Sequence, residues 1–174
     1  GKHDLAVWAP NCPSGWYRLG DVAIKHHTNR PAPCYLVRDV SLEQDALRKP
    51  TGYNKIWTDS GSKSDWDGSF WEPIAPPGYT ALGHVARRSH TDVPSLDYVR
   101  CVKSSLLEQI DYEWQWNDLE SGSHNDVTVW RAKAVGSTVY TMGTMIAVPG
   151  RALNGRRAFY GIKSAECELP VLIK

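Results

Sequence analysis

The sequence predicts an all-β fold built from three internal repeats. Two kinds of observation carry that expectation: a long segment that recurs at nearly constant offsets, and short apolar–aromatic runs separated by Pro/Gly turns. Stretches with helical capping-box spacing, Ser41–Gln44 and Ser105–Glu108, are too short to make the fold α/β.

The repeat comes first. The segment Trp8–Val22 reads W-x-P-x-x-P-x-G-[YW]-x-x-L-G-x-V, and Trp71–Val85 repeats it position by position. A more degenerate third copy begins at Trp130, where Arg131-Ala132 replaces the x-Pro pair and Gly136-Ser137-Thr138 replaces the Pro-x-Gly turn. The three tryptophans are spaced by 63 and 59 residues, and each is followed 12 or 13 residues later by a glycine: Gly20, Gly83 and Gly143. The match runs on: His27-Thr28-Asn29-Arg30-Pro31 falls on His90-Thr91-Asp92-Val93-Pro94, and Tyr35 on Tyr98. A second element precedes the tryptophan. Trp57–Asp65 resembles Trp116–Asp126, and the opening residues Gly1–Asp4 look like the end of another copy. Repeats of roughly 1–56, 57–115 and 116–174 therefore fill the chain.

Within a copy, Ser69–Trp71, Tyr79–Val85 and Tyr98–Val102 read as strands, split by turns such as Pro76-Pro77-Gly78. Asp126–Trp130 alternates with period two, which places Val127 and Val129 on one face. Three such units predict a β-prism with pseudo-threefold symmetry in a single domain, residues 1–174. The repeated tryptophans are expected in the core and the repeated glycines at bulges or crowded corners.

Composition narrows the function. Lys and Arg number 20 against 19 Asp and Glu, a net charge of +1, which argues against a nucleic-acid partner. A 41% hydrophobic share supplies a packed core. Eight Trp and eight Tyr against two Phe favour aromatic groups with a polar edge, as binding surfaces use. No run reaches the roughly 18 apolar residues of a transmembrane segment, so a soluble protein is expected. Gly1 opens the chain without a leader, and localisation stays open between cytoplasmic and secreted. Cys12, Cys34, Cys101 and Cys167 stand far apart, which disfavours a metal site and leaves their oxidation open. No serine elbow, phosphate loop or paired carboxylates stand out, so the expectation is a non-enzyme without cofactor or metal.

The quoted W-x-P-x-x-P-x-G motif, with the W-[TN]-D-x-x-S-G-S element before it, resembles the "vacuolar protein sorting sixty-two" family of fungi and plants. Related repeats occur in the adaptor-binding region of the Vps-thirteen lipid-transfer proteins, and that resemblance implies binding of proline-containing peptides.

A looser likeness is to jacalin-type lectins, β-prisms whose sugar site is a G-x-x-x-D loop leading into a strand. Gly61-Ser62-Lys63-Ser64-Asp65 and Gly122-Ser123-His124-Asn125-Asp126 have that spacing, and Gly1–Asp4 is one residue shorter. A carboxylate accepts hydrogen bonds from adjacent sugar hydroxyls, a glycine lets backbone N–H groups approach, and Trp or Tyr stacks on the sugar's apolar face. The candidate carbohydrate-binding residues are Gly61, Ser62, Asp65, Gly122, Ser123 and Asp126, with Gly1 and Asp4 in addition. Expected partners are glycans or glycoproteins. The alternatives are a peptide or membrane adaptor in trafficking, and a cell-surface-targeting defence or toxin protein. Arg30, Arg87, Arg88, Arg151, Arg156 and Arg157 fall in matching turns that could meet anionic lipid head groups.

Overall fold

The computed structural model describes residues 4–29, 33–133, 136, 138–151 and 157–168. The chain is all-β. Its strands are β1 Leu5–Trp8, β2 Val22–Lys25, β3 Leu47–Arg48, β4 Gly52–Thr58, β5 Ser69–Ile74, β6 Tyr79–Thr80 and β7 Val85–Arg87. They continue with β8 Cys101–Lys103, β9 Leu107–Ile110, β10 Tyr112–Asn117, β11 Val127–Ala132, β12 Val139–Tyr140, β13 Met145–Pro149 and β14 Phe159–Lys163. Of the two stretches with capping-box spacing, read as short helices or turns, Ser41–Gln44 is a turn, and Ser104–Leu106 is a single 3-10 turn leading straight into β9.

In the structure the second copy begins at β3 and the third at β9, ahead of residues 57 and 116, and these two copies build the same pair of small antiparallel sheets. One pair member is β4-β5-β7 in copy two and β10-β11-β13 in copy three. The other is β3-β8-β6 in copy two and β9-β14-β12 in copy three. Copy one contributes the two-stranded β1-β2 and an isolated bridge between Tyr17 and Val37. The register makes the repeat structural: Trp8 pairs with Val22, Trp71 with Val85 and Trp130 with Ile146. The expected single strand Tyr79–Val85 is two strands in different sheets, because the chain turns between them at Leu82-Gly83.

Backbone hydrogen bonds close a ring where the copies meet. Asp21 N–H donates to His84 O at 2.9 Å, His84 N–H to Met145 O at 2.8 Å, and Met145 N–H to Asp21 O at 2.8 Å. The residues preceding these three are Gly20, Gly83 and Thr144. A Cβ on Gly20 would stand 2.7 Å from Gly83 Cα, and one on Gly83 would stand 2.5 Å from Thr144 Cβ. Glycine is required there by crowding. Gly143 lies two residues before Met145, so the counterpart role passes to Thr144, whose hydroxyl donates to Leu82 O at 2.6 Å.

Side chains reinforce the ring. Asp21 accepts from Ala86 N–H at 2.8 Å and from the Tyr98 hydroxyl at 2.7 Å. His84, one copy on, accepts from Ala147 N–H through Nδ1 at 3.0 Å. Burial pushes the Asp21 carboxyl up to about 6, and burial beside the Arg157 guanidinium drives His84 well below the usual imidazole range.

Two apolar clusters flank the ring. The first gathers Trp57, Phe70, Trp116, Val127, Val129 and Met145, with Trp57 and Phe70 stacked at 5.0 Å. The second gathers Leu19, Leu82, Val102, Leu107, Met142 and Ile162. The repeated tryptophans share a strand position without sharing an environment. Trp71 is buried, with Nε1 donating to Ser69 Oγ at 2.8 Å; Trp130 is half-buried, and Trp8 is 47% exposed. The core placement expected for Trp8 fails because β1 has a strand on one side only, whereas β5 and β11 have strands on both.

Candidate functional site

The loops that carry the candidate residues lie at one end of the molecule. Loop 59–68 joins β4 to β5, loop 118–126 joins β10 to β11, and both emerge beside the turns that follow β7 and β13. Each is tied at its neck by a carboxylate. Asp59 Oδ1 accepts from Gly68 N–H at 2.8 Å, and Asp118 Oδ1 from Val127 N–H at 3.0 Å. The Asp59 and Asp118 carbonyls then accept from Ser62 and Ser121 N–H, both at 2.9 Å. Serine hydroxyls continue the pattern: Ser62 Oγ accepts from Ser64 N–H, and Ser121 Oγ from Ser123 N–H.

This matching network fixes the alignment of the loops, and it differs from the one the glycines suggest. Left-handed residues fall two and four places after the neck carboxylate in both: Gly61 and Lys63 in one, Glu120 and Gly122 in the other. Gly61 therefore corresponds to Glu120, and Gly122 to Lys63. The two G-x-x-x-D spacings are offset by two residues, so Asp65 corresponds to His124 and Asp126 to Asp67. Polar side chains tolerate the left-handed region at modest cost, so glycine is a poor anchor for aligning such turns.

With that register, Asp4, Asp67 and Asp126 occupy one repeated position, just before β1, β5 and β11. Each faces a base from the turn after the third strand. His27 Nδ1 lies 3.1 Å from Asp4, His90 Nε2 lies 3.7 Å from Asp67, and Arg151 Nη2 donates to Asp126 at 2.7 Å. The Arg151 hydrogen bond holds the Asp126 carboxyl below its ordinary value. Asp65 is exposed and makes no hydrogen bond or ion pair among the described residues. Gly1 lies outside the described residues.

The two loops lean on each other. His124 N–H donates to Ser60 O at 2.8 Å, Ser123 Oγ to Thr58 O at 3.1 Å, and Trp57 Nε1 to Asn125 O at 2.7 Å. Gly61 makes room for this contact: a Cβ there would stand 2.5 Å from the His124 ring. The candidate residues Gly61, Ser62, Gly122 and Ser123 thus organise the loop pair, and the carboxylates project from it.

Sequence reasoning passed over Trp66. It sits between Asp65 and Asp67 on the returning limb of loop 59–68, is 66% exposed, and carries the Arg88 guanidinium 3.3 Å from its ring centroid. An indole held by a stacked cation, flanked by two carboxylates, combines a flat apolar platform with acceptors for hydroxyl groups. Copy three offers Asn125 at the same place. The 63-residue offset that sets His27 on His90 also sets Asp4 on Asp67, and that was the signal available in the sequence.

Asp59, Asp67 and His90 bring one potential ligand atom each within 4.8 Å, a grouping that could hold a cation. His90 Nε2 already stands 2.6 Å from Asp59 Oδ1, which also takes the Gly68 N–H. Asp59 and His90 are thus hydrogen-bonded already, while Asp67 stands 3.7 Å from His90 Nε2. Of the arginines expected to face lipid, Arg151 pairs with Asp126, Arg157 with Glu72 and Arg88 with Trp66, whereas Arg87 Nε is buried without a hydrogen-bond partner among the described residues. Arg30 and Arg156 lie outside the described residues. All four cysteines are free thiols; burial raises Cys101 to about 11, and burial together with neighbouring Cys12 raises Cys34.

Fold and loops together define a repeat-built all-β protein with polar loops gathered at one end. Its sequence matches the family described as vacuolar protein sorting-associated protein 62 over residues 2–152, and the chain belongs to that family. No curated protein matches it. Among solved structures it is similar to the crystal structure of GNIP1Aa from Chromobacterium piscinae, with a TM-score of 0.79 and 25% identity. That similarity covers 94% of this chain and 33% of the other, so this chain spans a third of that protein's length. Among the described residues, no helix is long and apolar enough to cross a membrane.

Proposed function

We propose that the protein is a non-enzymatic, lectin-like carbohydrate binder, a single β-prism domain with pseudo-threefold symmetry whose sites lie in the loops before the repeated tryptophan strands. The closed ring through Asp21, His84 and Met145, and the matched sheets of copies two and three, support the symmetry. The observation that carries the function is the returning limb of loop 59–68: exposed Trp66 between Asp65 and Asp67, on a loop fixed by Asp59. The indole stacks on the apolar face of a sugar ring, and the carboxylates accept from its hydroxyls. Asp126 offers a second, weaker site, because Arg151 occupies part of its accepting capacity. Asp4 with His27 offers a third. Several shallow sites on one body give avidity from modest single-site affinity.

A glycan array tests this reading. The account expects one glycan family to be bound and lost in Asp65→Ala/Asp126→Ala and in Trp66→Ala, with far-ultraviolet circular dichroism unchanged. Retention of binding in both variants would sink the site assignment. The family's name favours a second reading, an adaptor in vacuolar or endosomal sorting. A blank array together with capture of a sorting protein would put that reading first.

A further inference from the structure

Copies two and three each set a pair of carboxylates beside the same turn. The neck carboxylate is Asp59 or Asp118, and the carboxylate just before the next strand is Asp67 or Asp126. Register fixes what faces each pair. Ser69 pairs with Arg87 and Thr128 with Val148, and the Ser69 and Thr128 hydroxyls donate to Ser89 O and Gly150 O. His90 and Arg151, each one residue further on, therefore occupy one repeated position.

In copy three that position holds a cation. Arg151 Nη2 donates to Asp126 Oδ1 at 2.7 Å, and this bond, backed by the charges of Asp126 and Asp118, raises the guanidinium above its ordinary value. Copy two keeps both carboxylates and puts an imidazole in the guanidinium's place. His90 Nε2 stands 2.6 Å from Asp59 Oδ1 and 3.7 Å from Asp67 Oδ1, and the three ligand atoms all lie within 4.8 Å of one another. A tetrahedral ion bonded at about 2.1 Å sets its ligand atoms about 3.4 Å apart, close to the spacing already present. Asp59 is mostly enclosed and Asp67 mostly exposed, which leaves such an ion an open side for water.

We propose that Asp59, Asp67 and His90 form a binding site for a divalent transition-metal ion of the zinc type, with water completing its shell. The imidazole favours such an ion over calcium and magnesium, which take oxygen ligands. On binding, Nε2 exchanges its contact with Asp59 for the metal, and the imidazole proton resides on Nδ1. Asp59 Oδ1 keeps the Gly68 N–H on one lone pair and ligates with the other. The ion does in copy two what Arg151 does in copy three: it neutralises the paired carboxylates and ties the loop to the turn after the third strand. The site stands whether or not the loop binds sugar.

Calorimetric titration of the chelator-treated intact chain with zinc chloride tests the site, and the imidazole signals in the NMR spectrum locate it. The proposal expects one ion bound per chain in the micromolar range or tighter, with the His90 ring signals shifted and the zinc retained in excess calcium chloride. His90→Arg, which installs the cation of copy three, and Asp67→Asn should each weaken zinc binding at least tenfold, with circular dichroism unchanged. Absence of binding in that range overturns the proposal. So does displacement of the zinc by calcium, or binding that either variant leaves intact, since the zinc then sits on other groups of the chain. The readout is the metal alone, so a blank glycan array leaves this result untouched.

Discussion

Loops 59–68 and 118–126 follow one backbone path and mount different chemistry on it. Both are tied by a neck aspartate, a serine ladder and two left-handed residues. On the returning limb, copy two presents Asp65, Trp66 and Asp67, where copy three has His124, Asn125 and Asp126. The His124 N–H and the Asn125 carbonyl, both backbone groups, bind Ser60 and Trp57 of copy two, while both residues stay exposed. The two loops differ in the side chains they present, an indole in one and a carboxamide in the other. Repetition preserves the scaffold and frees individual side chains to diverge.

The largest expected effect is at the necks. Asp118 is buried and Asp59 is partly exposed, so Asp118→Ala leaves the Val127 N–H without water to replace its partner. Urea denaturation should show a loss of about 2–3 kcal/mol for Asp118→Ala and about 1 kcal/mol for Asp59→Ala. Equal losses would mean that the two necks are equivalent after all.

The ring offers the same comparison between copies, read by pH. Asp21 has a folded value raised to about 6, so its protonation favours the folded state. That contribution is complete below the ordinary carboxylate value and is lost as pH rises through about 6. His84 is depressed, so its contribution is present above the ordinary imidazole value and is lost as pH falls. Between about pH 4 and 6 the two oppose each other. Asp21→Asn should stabilise the protein at pH 7.5 relative to pH 4.5 by about 2 kcal/mol, read as a change in the pH dependence of the urea midpoint. An unchanged pH profile would contradict the burial of that carboxyl.

The glycines come next. Gly61→Ala meets both a left-handed backbone and the His124 ring, whereas Gly122→Ala meets the backbone alone. Losses of about 2 and about 1 kcal/mol are expected, and His124→Ala should recover part of the first only. On the returning limb, Trp66→Ala should leave stability within about 0.5 kcal/mol, since most of the indole is in solvent.

Much of the fold is legible in the sequence because the W-x-P-x-x-P-x-G segment recurs with its turns intact, and turn chemistry is local. The 63-residue offset also pairs His27 with His90 and Asp4 with Asp67. The alignment of the loops is less legible. Glycine serves the left-handed position at different points of the two loops, while Lys63 and Glu120 serve the other, so the eye matches Gly61 to Gly122 and slips by two residues. The exposure of Trp8 is not legible at all. Its motif is identical to that of Trp71, and the difference lies in which strand stands beside it. Nor does the sequence mark Trp66, which belongs to no repeat and gains its meaning from Arg88, 22 residues away.

The central claim is that the returning limb of loop 59–68 binds carbohydrate. The most direct test is a quantitative glycan array of the native protein beside Trp66→Ala and Asn125→Ala, the same position in the two loops. The account predicts a bound glycan family whose signal falls at least tenfold in Trp66→Ala and stays within twofold in Asn125→Ala. Equal signals from all three proteins, or a blank array with the native protein, would contradict it.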